Sequence, residues 1–152
     1  MKLIAVFPGS FDPITKGHES VIIRSLGLFD TIIVAVGVNS EKKYLFSLEQ
    51  RIQWLKEVFS DYPQIEVDSY VGLTTDYCRS KHSTYILRGL RTSADFEFER
   101  GIGQMNKQIY SEIETVFLLA LPEYNALNSS VVRDIYRNGG DISQFVPERI
   151  KI

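Results

Sequence analysis

Five short apolar runs rich in branched residues constrain this chain more than any other feature: Leu3–Phe7, Thr31–Val38, Ile65–Val71, Tyr85–Leu87 and Thr115–Leu121. Each has the length of a buried strand. Between them, apolar residues recur at helical spacing. Val21, Ile22, Leu26 and Phe29 follow Gly17 on one face. Leu48, Ile52, Leu55 and Phe59 share a stripe behind a capping box of Ser47 and Gln50, and Phe98, Ile102, Met105 and Ile109 mark a third face. Ser129 or Ser130 is suited to cap a last helix that stops at Asn138-Gly139-Gly140. Strand alternating with helix predicts an α/β fold, a doubly wound parallel sheet of about five strands with helices on both faces. Ligands of such sheets sit beyond the carboxyl ends of the strands, so the residues just after each strand matter most.

A length of 152 residues fits a single domain, 1–152. The hydrophobic fraction of 44% is enough for a core. Seventeen Lys and Arg stand against 19 Asp and Glu, a formal charge of −2. No basic field exists to hold nucleic acid, so nucleic acid is not an expected partner, and any anionic ligand must be held by a few placed cations. Cys78 is the single cysteine, so no intrachain disulfide forms. Two histidines and one cysteine show no zinc-ligand spacing, and no metal ligands are assigned. No apolar stretch approaches the roughly 20 residues that cross a bilayer, and the first run is cut short by Pro8. A soluble, cytoplasmic protein is expected.

The first strand is followed by Pro8-Gly9-Ser10-Phe11-Asp12-Pro13-Ile14-Thr15-Lys16-Gly17-His18 and then a helix. Gly9 lets backbone N–H groups approach a phosphate, and Ser10 adds a hydroxyl donor. His18 falls in the first helical turn, where the dipole favours anions and an imidazole can donate to a phosphoryl oxygen. The bland alternative is a turn with an exposed cap. There is no GxxxxGK[ST], and the GxGxxG look-alike starting at Gly101 has Asn106 in the third glycine position. After the second strand, Lys42 and Lys43 either swing an ammonium over a phosphate or pair with Glu41 in solvent.

Arg88 and Arg91 flank Gly89 and Leu90 after the fourth run. Both can fork onto phosphate oxygens, or pair with nearby acids such as Asp95. Asp95, Glu99, Gly103 and Asn106 form a polar stripe opposite the apolar one, either a ligand-facing surface or a solvated one. Pro122 to Ser130 is a polar loop opening into a capped helix, a second cradle for an anion. Arg133 lies one turn in and meets either a phosphate or a neighbour. Cys78, His82 and Trp54 read as structural.

Taken together, Pro-Gly-Ser-Phe-Asp-Pro-Ile-Thr-x-Gly-His, Leu-Arg-Gly-Leu-Arg with Asp95-Phe96-Glu97 and Glu99, and the Ser129-Ser130 helix start resemble the bacterial-type phosphopantetheine adenylyltransferases. The resemblance runs from Ala5 to about Glu148. That family belongs to the nucleotidyltransferase superfamily with an HxGH-like motif, whose first position is Thr15 here. The resemblance implies a Rossmann-like fold. It implies transfer of AMP from ATP to 4′-phosphopantetheine in coenzyme A synthesis, with Mg2+ accompanying ATP and a homo-hexameric assembly. Carried over by position, it makes His18, Lys42 and Arg91 catalytic. It gives ATP binding to Ser10, Phe11, His18, Gly89, Leu90, Arg91, Glu99, Tyr124, Asn125, Ala126, Leu127, Asn128, Ser129 and Ser130. The acceptor would meet Ser10, Lys42, Thr74 and Arg88. Ser10 stands where threonine is common, keeping the hydroxyl, and Asn128 where a serine often precedes Ser129. A related enzyme with another phosphate acceptor, such as nicotinamide mononucleotide or glycerol phosphate, and a non-catalytic nucleotide-binding module are the alternatives.

Overall fold

The computed structural model describes residues 1–152. Five strands form one parallel sheet: β1 (Ile4–Gly9), β2 (Thr31–Val38), β3 (Ile65–Val71), β4 (Tyr85–Leu90) and β5 (Glu114–Leu119). The helices are α1 (Lys16–Arg24), α2 (Leu48–Val58), α3 (Thr74–Ser80), α4 (Ser93–Ile109) and α5 (Ser129–Arg137). The strand order is β3-β2-β1-β4-β5, so the chain winds outward from β1 on one side and then returns to its other side. The doubly wound Rossmann-like architecture is as expected, with its switch point between β1 and β4.

Side chains alternate across each strand and divide the interior in two. Ala5, Phe7, Ile32, Val34, Val36 and Leu87 face the larger core, with Val21 and Ile22 of α1, Leu55 and Val58 of α2 and Val132 of α5. Ile142, Val146 and Ile150 of the C-terminal segment close it. Val6, Ile33, Ala35 and Ile86 face the smaller core with Tyr77 and Cys78 of α3 and Ile113. Burial pushes the Cys78 thiol up to about 12, in keeping with a packing role. Among the helices, α3 has no counterpart in the predicted elements, because seven residues carry too little periodicity to register.

The seam between β1 and β4 positions the site. β1 pairs with β2 over six residues, and β4 pairs with β5 over six, but β1 and β4 share only Ala5↔Tyr85 and Val6↔Ile86. Beyond those two rungs the strands part, which opens a crevice at their carboxyl ends. β4 runs three residues past its expected end at Leu87, carrying Arg88 and Gly89 inside the strand. The ladder to β5 supplies the hydrogen bonds there, so no apolar run is needed.

β1 likewise runs on to Gly9 and β5 stops at Leu119, short of Leu121; further corrections concern helices. The apolar stripe of α4 does not enter a core: Phe98 is 69% and Met105 59% exposed, with Ile102 and Ile109 also exposed. The polar stripe turns inward instead, with Glu99 buried and Gly103 so close to Thr115 that an added Cβ would lie 3.1 Å from its hydroxyl. The cap of α5 is Asn128, whose side-chain Oδ1 accepts from the Val131 amide, rather than Ser129 or Ser130. Ser47 caps α2 by accepting from the Gln50 amide, one half of the predicted box.

Candidate active site

The loop after β1 is shaped by backbone geometry before any side chain acts. Phe11 sits at φ +47°, a left-handed conformation that a non-glycine residue holds only when its surroundings over-determine it. A Cβ on Gly9 would lie 3.0 Å from the Phe11 ring, so glycine lets the loop fold over that ring. The peptide between Asp12 and Pro13 is cis. Thr15 then caps α1 in a reciprocal box with His18.

That box determines the state of the imidazole. The Thr15 backbone N–H donates to His18 Nδ1 at 3.0 Å. An amide can only donate, so Nδ1 accepts and Nε2 carries the proton. The ring lies against the edges of Phe11 and Phe7, with centroids 5.2 and 6.5 Å apart. Burial, with the positive charges of Arg88 and Arg91 adding to it, lowers the His18 pKa to about 4. At neutral pH His18 is therefore an uncharged Nε2–H donor.

Two cavities meet at the seam. One, of about 400 Å3, is lined by Ser10, Phe11, His18, Gly89, Arg91, Glu99, Tyr124, Leu127, Asn128, Ser129 and Ser130 among others. The second, of about 360 Å3, is lined by Ser10, Lys42, Tyr44, Tyr70, Thr74, Arg88, Phe98, Ile102 and Asn106 among others. Ser10, Lys42, Arg88 and Glu99 belong to both walls. Lys42 is exposed, but instead of pairing with Glu41 its Nζ donates to Ser10 Oγ at 3.1 Å.

Arg88 bridges the opening between the strands. Its Nη1 donates to the Pro8 carbonyl of β1, while Nη2 and Nε hold the two Glu99 oxygens at 2.6 and 3.1 Å. Three of its five N–H groups are used and two are left for a ligand. Arg91 grips Asp95 from Nε at 3.1 Å and donates from Nη1 to the Leu127 carbonyl at 2.8 Å, which ties α4 to the loop before α5. The alternative that the sequence leaves open for Arg91, a pairing with Asp95, is thus present. Arg133 donates to the Asp12 carbonyl and to Ser130 Oγ.

The family model described as cytidylyltransferase-like matches residues 6–135. A phosphopantetheine adenylyltransferase from Flavobacterium psychrophilum is 54% identical over 148 residues, covering 97% of each chain. One from Cytophaga hutchinsonii is 41% identical over 150 residues, covering 99% of this chain and all of its own. The chain belongs to the phosphopantetheine adenylyltransferases. Among solved structures, a bifunctional NMN adenylyltransferase/ADP ribose pyrophosphatase from Francisella tularensis superposes with a TM-score of 0.73 at 20% identity. That likeness covers 96% of this chain and 45% of the bifunctional one. A putative nicotinate-nucleotide adenylyltransferase from Vibrio parahaemolyticus gives 0.66 at 20% identity, over 97% and 96% of the two chains. At that identity the likeness concerns the fold.

Set against the family pattern, Ser10, Lys42, Thr74 and Arg88 all line the smaller cavity. Most of the expected nucleotide residues line the larger one, including His18 and Arg91. Leu90 is buried in β4, and Asn125 and Ala126 are exposed and outside the lining. Glu99 meets Arg88 with both oxygens. Three site features have no place in the sequence reading. Tyr70 stacks on Tyr77 and bonds Thr74 Oγ1 at 2.7 Å. The Asp12 carboxylate accepts from the amides of Leu45 and Phe46. Arg51, buried on α2, donates to Ser10 O. Only Arg51 left a signal, a charge three residues after Leu48 and four before Leu55, on the buried stripe.

Proposed function

We infer that this chain transfers the AMP part of ATP to 4′-phosphopantetheine, giving dephospho-coenzyme A and pyrophosphate. The observation that carries this reading is the pair of adjoining cavities with Ser10, Lys42 and Arg88 on their common wall. The extent of identity to named phosphopantetheine adenylyltransferases supports it. ATP occupies the larger cavity, with its phosphates between His18, Arg91 and the amides at the start of α5. The acceptor occupies the smaller one, its phosphate held by Lys42, Arg88 and Ser10.

A phosphate monoester has a second pKa near about 6, so the acceptor is already a dianion at neutral pH and needs no general base. This fits a histidine whose Nδ1 is engaged by a backbone amide instead of a carboxylate. The acceptor oxygen attacks the α-phosphorus in line, the bond to the β-phosphate oxygen breaks, and pyrophosphate leaves with its electrons. His18 donates its Nε2 proton as a hydrogen bond to the transferring group, and Lys42 and Arg91 offset its charge. Catalysis is then positioning plus electrostatics.

The carboxylates around the nucleotide cavity do not suit a protein-held metal. Asp12 is engaged by two amides, Asp95 by Arg91 and Glu99 by Arg88. No group of three or more His, Cys, Asp or Glu residues converges anywhere. Mg2+ would instead enter with the nucleotide, held by its phosphates and by water.

The test incubates the protein with ATP, Mg2+ and 4′-phosphopantetheine and measures dephospho-coenzyme A and pyrophosphate. Nicotinamide mononucleotide and glycerol phosphate serve as competing acceptors. Faster turnover of either would reassign the acceptor, and ATP binding with no turnover would leave a nucleotide-binding module. We also propose a homo-hexamer in the cytoplasm with no nucleic-acid partner. The uncovered apolar stripe of α4 supports self-association, and no helix is long and apolar enough to cross a membrane.

A further inference from the structure

We propose that Asp12 and Arg51 form a buried charged clamp that sets Lys42 over Ser10, which makes both of them positioning residues for adenylyl transfer. The proposal rests on the transfer reading above. Lys42 lies in the connection between β2 and α2 and is itself exposed, yet its Nζ stands 3.1 Å from Ser10 Oγ. A flexible four-carbon stem does not hold such a distance unaided, so the segment that carries it must be fixed.

The fixing comes from beneath. Asp12, 3% exposed, accepts from the Leu45 amide at 2.8 Å and the Phe46 amide at 2.9 Å, just beyond Lys42 in the chain. Arg51, 2% exposed, donates from Nε to Phe46 O at 3.1 Å and from Nη1 to Ser10 O at 2.8 Å. One guanidinium thus holds both the segment bearing Lys42 and the residue that Lys42 meets. The same guanidinium lies 4.1 Å from the centroid of the Tyr44 ring. The Tyr44 hydroxyl accepts from the Asn39 amide, fastening the near end of the segment. Charge-assisted bonds of this kind are stronger and more directional than neutral ones. Both residues are held away from solvent, where a loop needs rigid anchors.

A purely structural role and a positioning role differ in one respect: only the second acts through Lys42. Arg51→Lys keeps the charge but not the fork, and Asp12→Asn keeps the shape but offers one acceptor where two are needed. Each is combined with Lys42→Ala in a double-mutant cycle, with steady-state kinetics for ATP and 4′-phosphopantetheine. Either alone completes the cycle if the other does not fold. In the single variants kcat falls about 100-fold, the scale of an ångström misplacement, while KM for ATP stays close to that of the unsubstituted protein. In the Lys42→Ala background the same substitutions add little further loss, because the group they position is gone. Limited trypsin digestion gives an independent reading, with faster cleavage after Lys42 and Lys43 in both variants. Losses that persist in full on top of Lys42→Ala, or an unchanged kcat in the single variants, overturn the clamp. If the unsubstituted protein forms no dephospho-coenzyme A, the transfer reading itself fails and takes the clamp with it.

Discussion

Acidification from about pH 7.5 to 5.0 is expected to destabilise the nucleotide-free protein through His18. In the folded chain its pKa lies near 4, against an ordinary value of 6.5. Between those values the unfolded chain binds a proton that the folded one refuses, so stability is fully present above 6.5 and declines as pH falls toward 4. Integrated to pH 5.0, the difference amounts to about 2 kcal/mol, flattening below pH 4 near about 3 kcal/mol. Urea unfolding at the two pH values isolates this loss when His18→Gln is measured alongside. Glutamine can accept from the Thr15 amide through its side-chain oxygen but does not titrate, and other groups cancel in the comparison. Proton NMR checks the same point directly, since the chain has only two histidines and His82 is exposed. An acid loss equal in the two proteins, or a His18 resonance with its midpoint near 6.5, refutes the half-buried, neutral imidazole and the donor role built on it.

Three further outcomes are expected. Glu99→Gln leaves one acceptor and turns an amide toward Arg88, so urea unfolding shows a loss of about 1.5–3 kcal/mol. Steady-state kinetics should then show KM for the acceptor rising more than KM for ATP, because Arg88 loses its anchor on the wall between the cavities. Gly89→Ala places a Cβ 3.1 Å from Val21 Cγ2, and a buried β-branched side chain cannot rotate away. Thermal or urea unfolding should show about 1–3 kcal/mol of destabilisation, partly restored by Val21→Ala. Phe98→Ser with Met105→Ser should reduce the assembly size seen by analytical ultracentrifugation, and an unchanged mass would remove the α4 stripe from any contact between copies.

The strands were the legible part of the fold. β2 and β3 match their predicted runs residue for residue, β2 as a nearly continuous branched run and β3 because Ile65, Val67, Tyr70 and Val71 outline it around Glu66, Asp68 and Ser69. β4 was read short because a ladder to β5, which hydropathy cannot show, carries Arg88 and Gly89. The period of α4 was visible, but its orientation was not. Its inward stripe is chosen by the Arg88–Glu99 ion pair and by the close approach of Gly103 to Thr115, whereas hydrophobicity alone favours the opposite face. In the site, residues contiguous in the chain could be read as a group, as with Ser10 to His18. Asp12 acts through backbone amides more than thirty residues along the chain, a contact that leaves no pattern of residue types, and Arg51 shows only as a charge on the buried stripe of α2.

The parting of β1 from β4 also bears on how this molecule responds to its ligands. His18, Ser10 and Lys42 stand on one side of the divide, Arg88, Arg91 and Glu99 on the other, and at the carboxyl ends of the two strands the Arg88 guanidinium spans the gap to Pro8 beyond the two rungs of ladder. A molecule lodged across that divide would add a further link, one that the folded chain can make and the unfolded chain cannot. By mass action, resistance to unfolding then grows with substrate concentration, and damage to the chain's own links shows most plainly when the protein is empty.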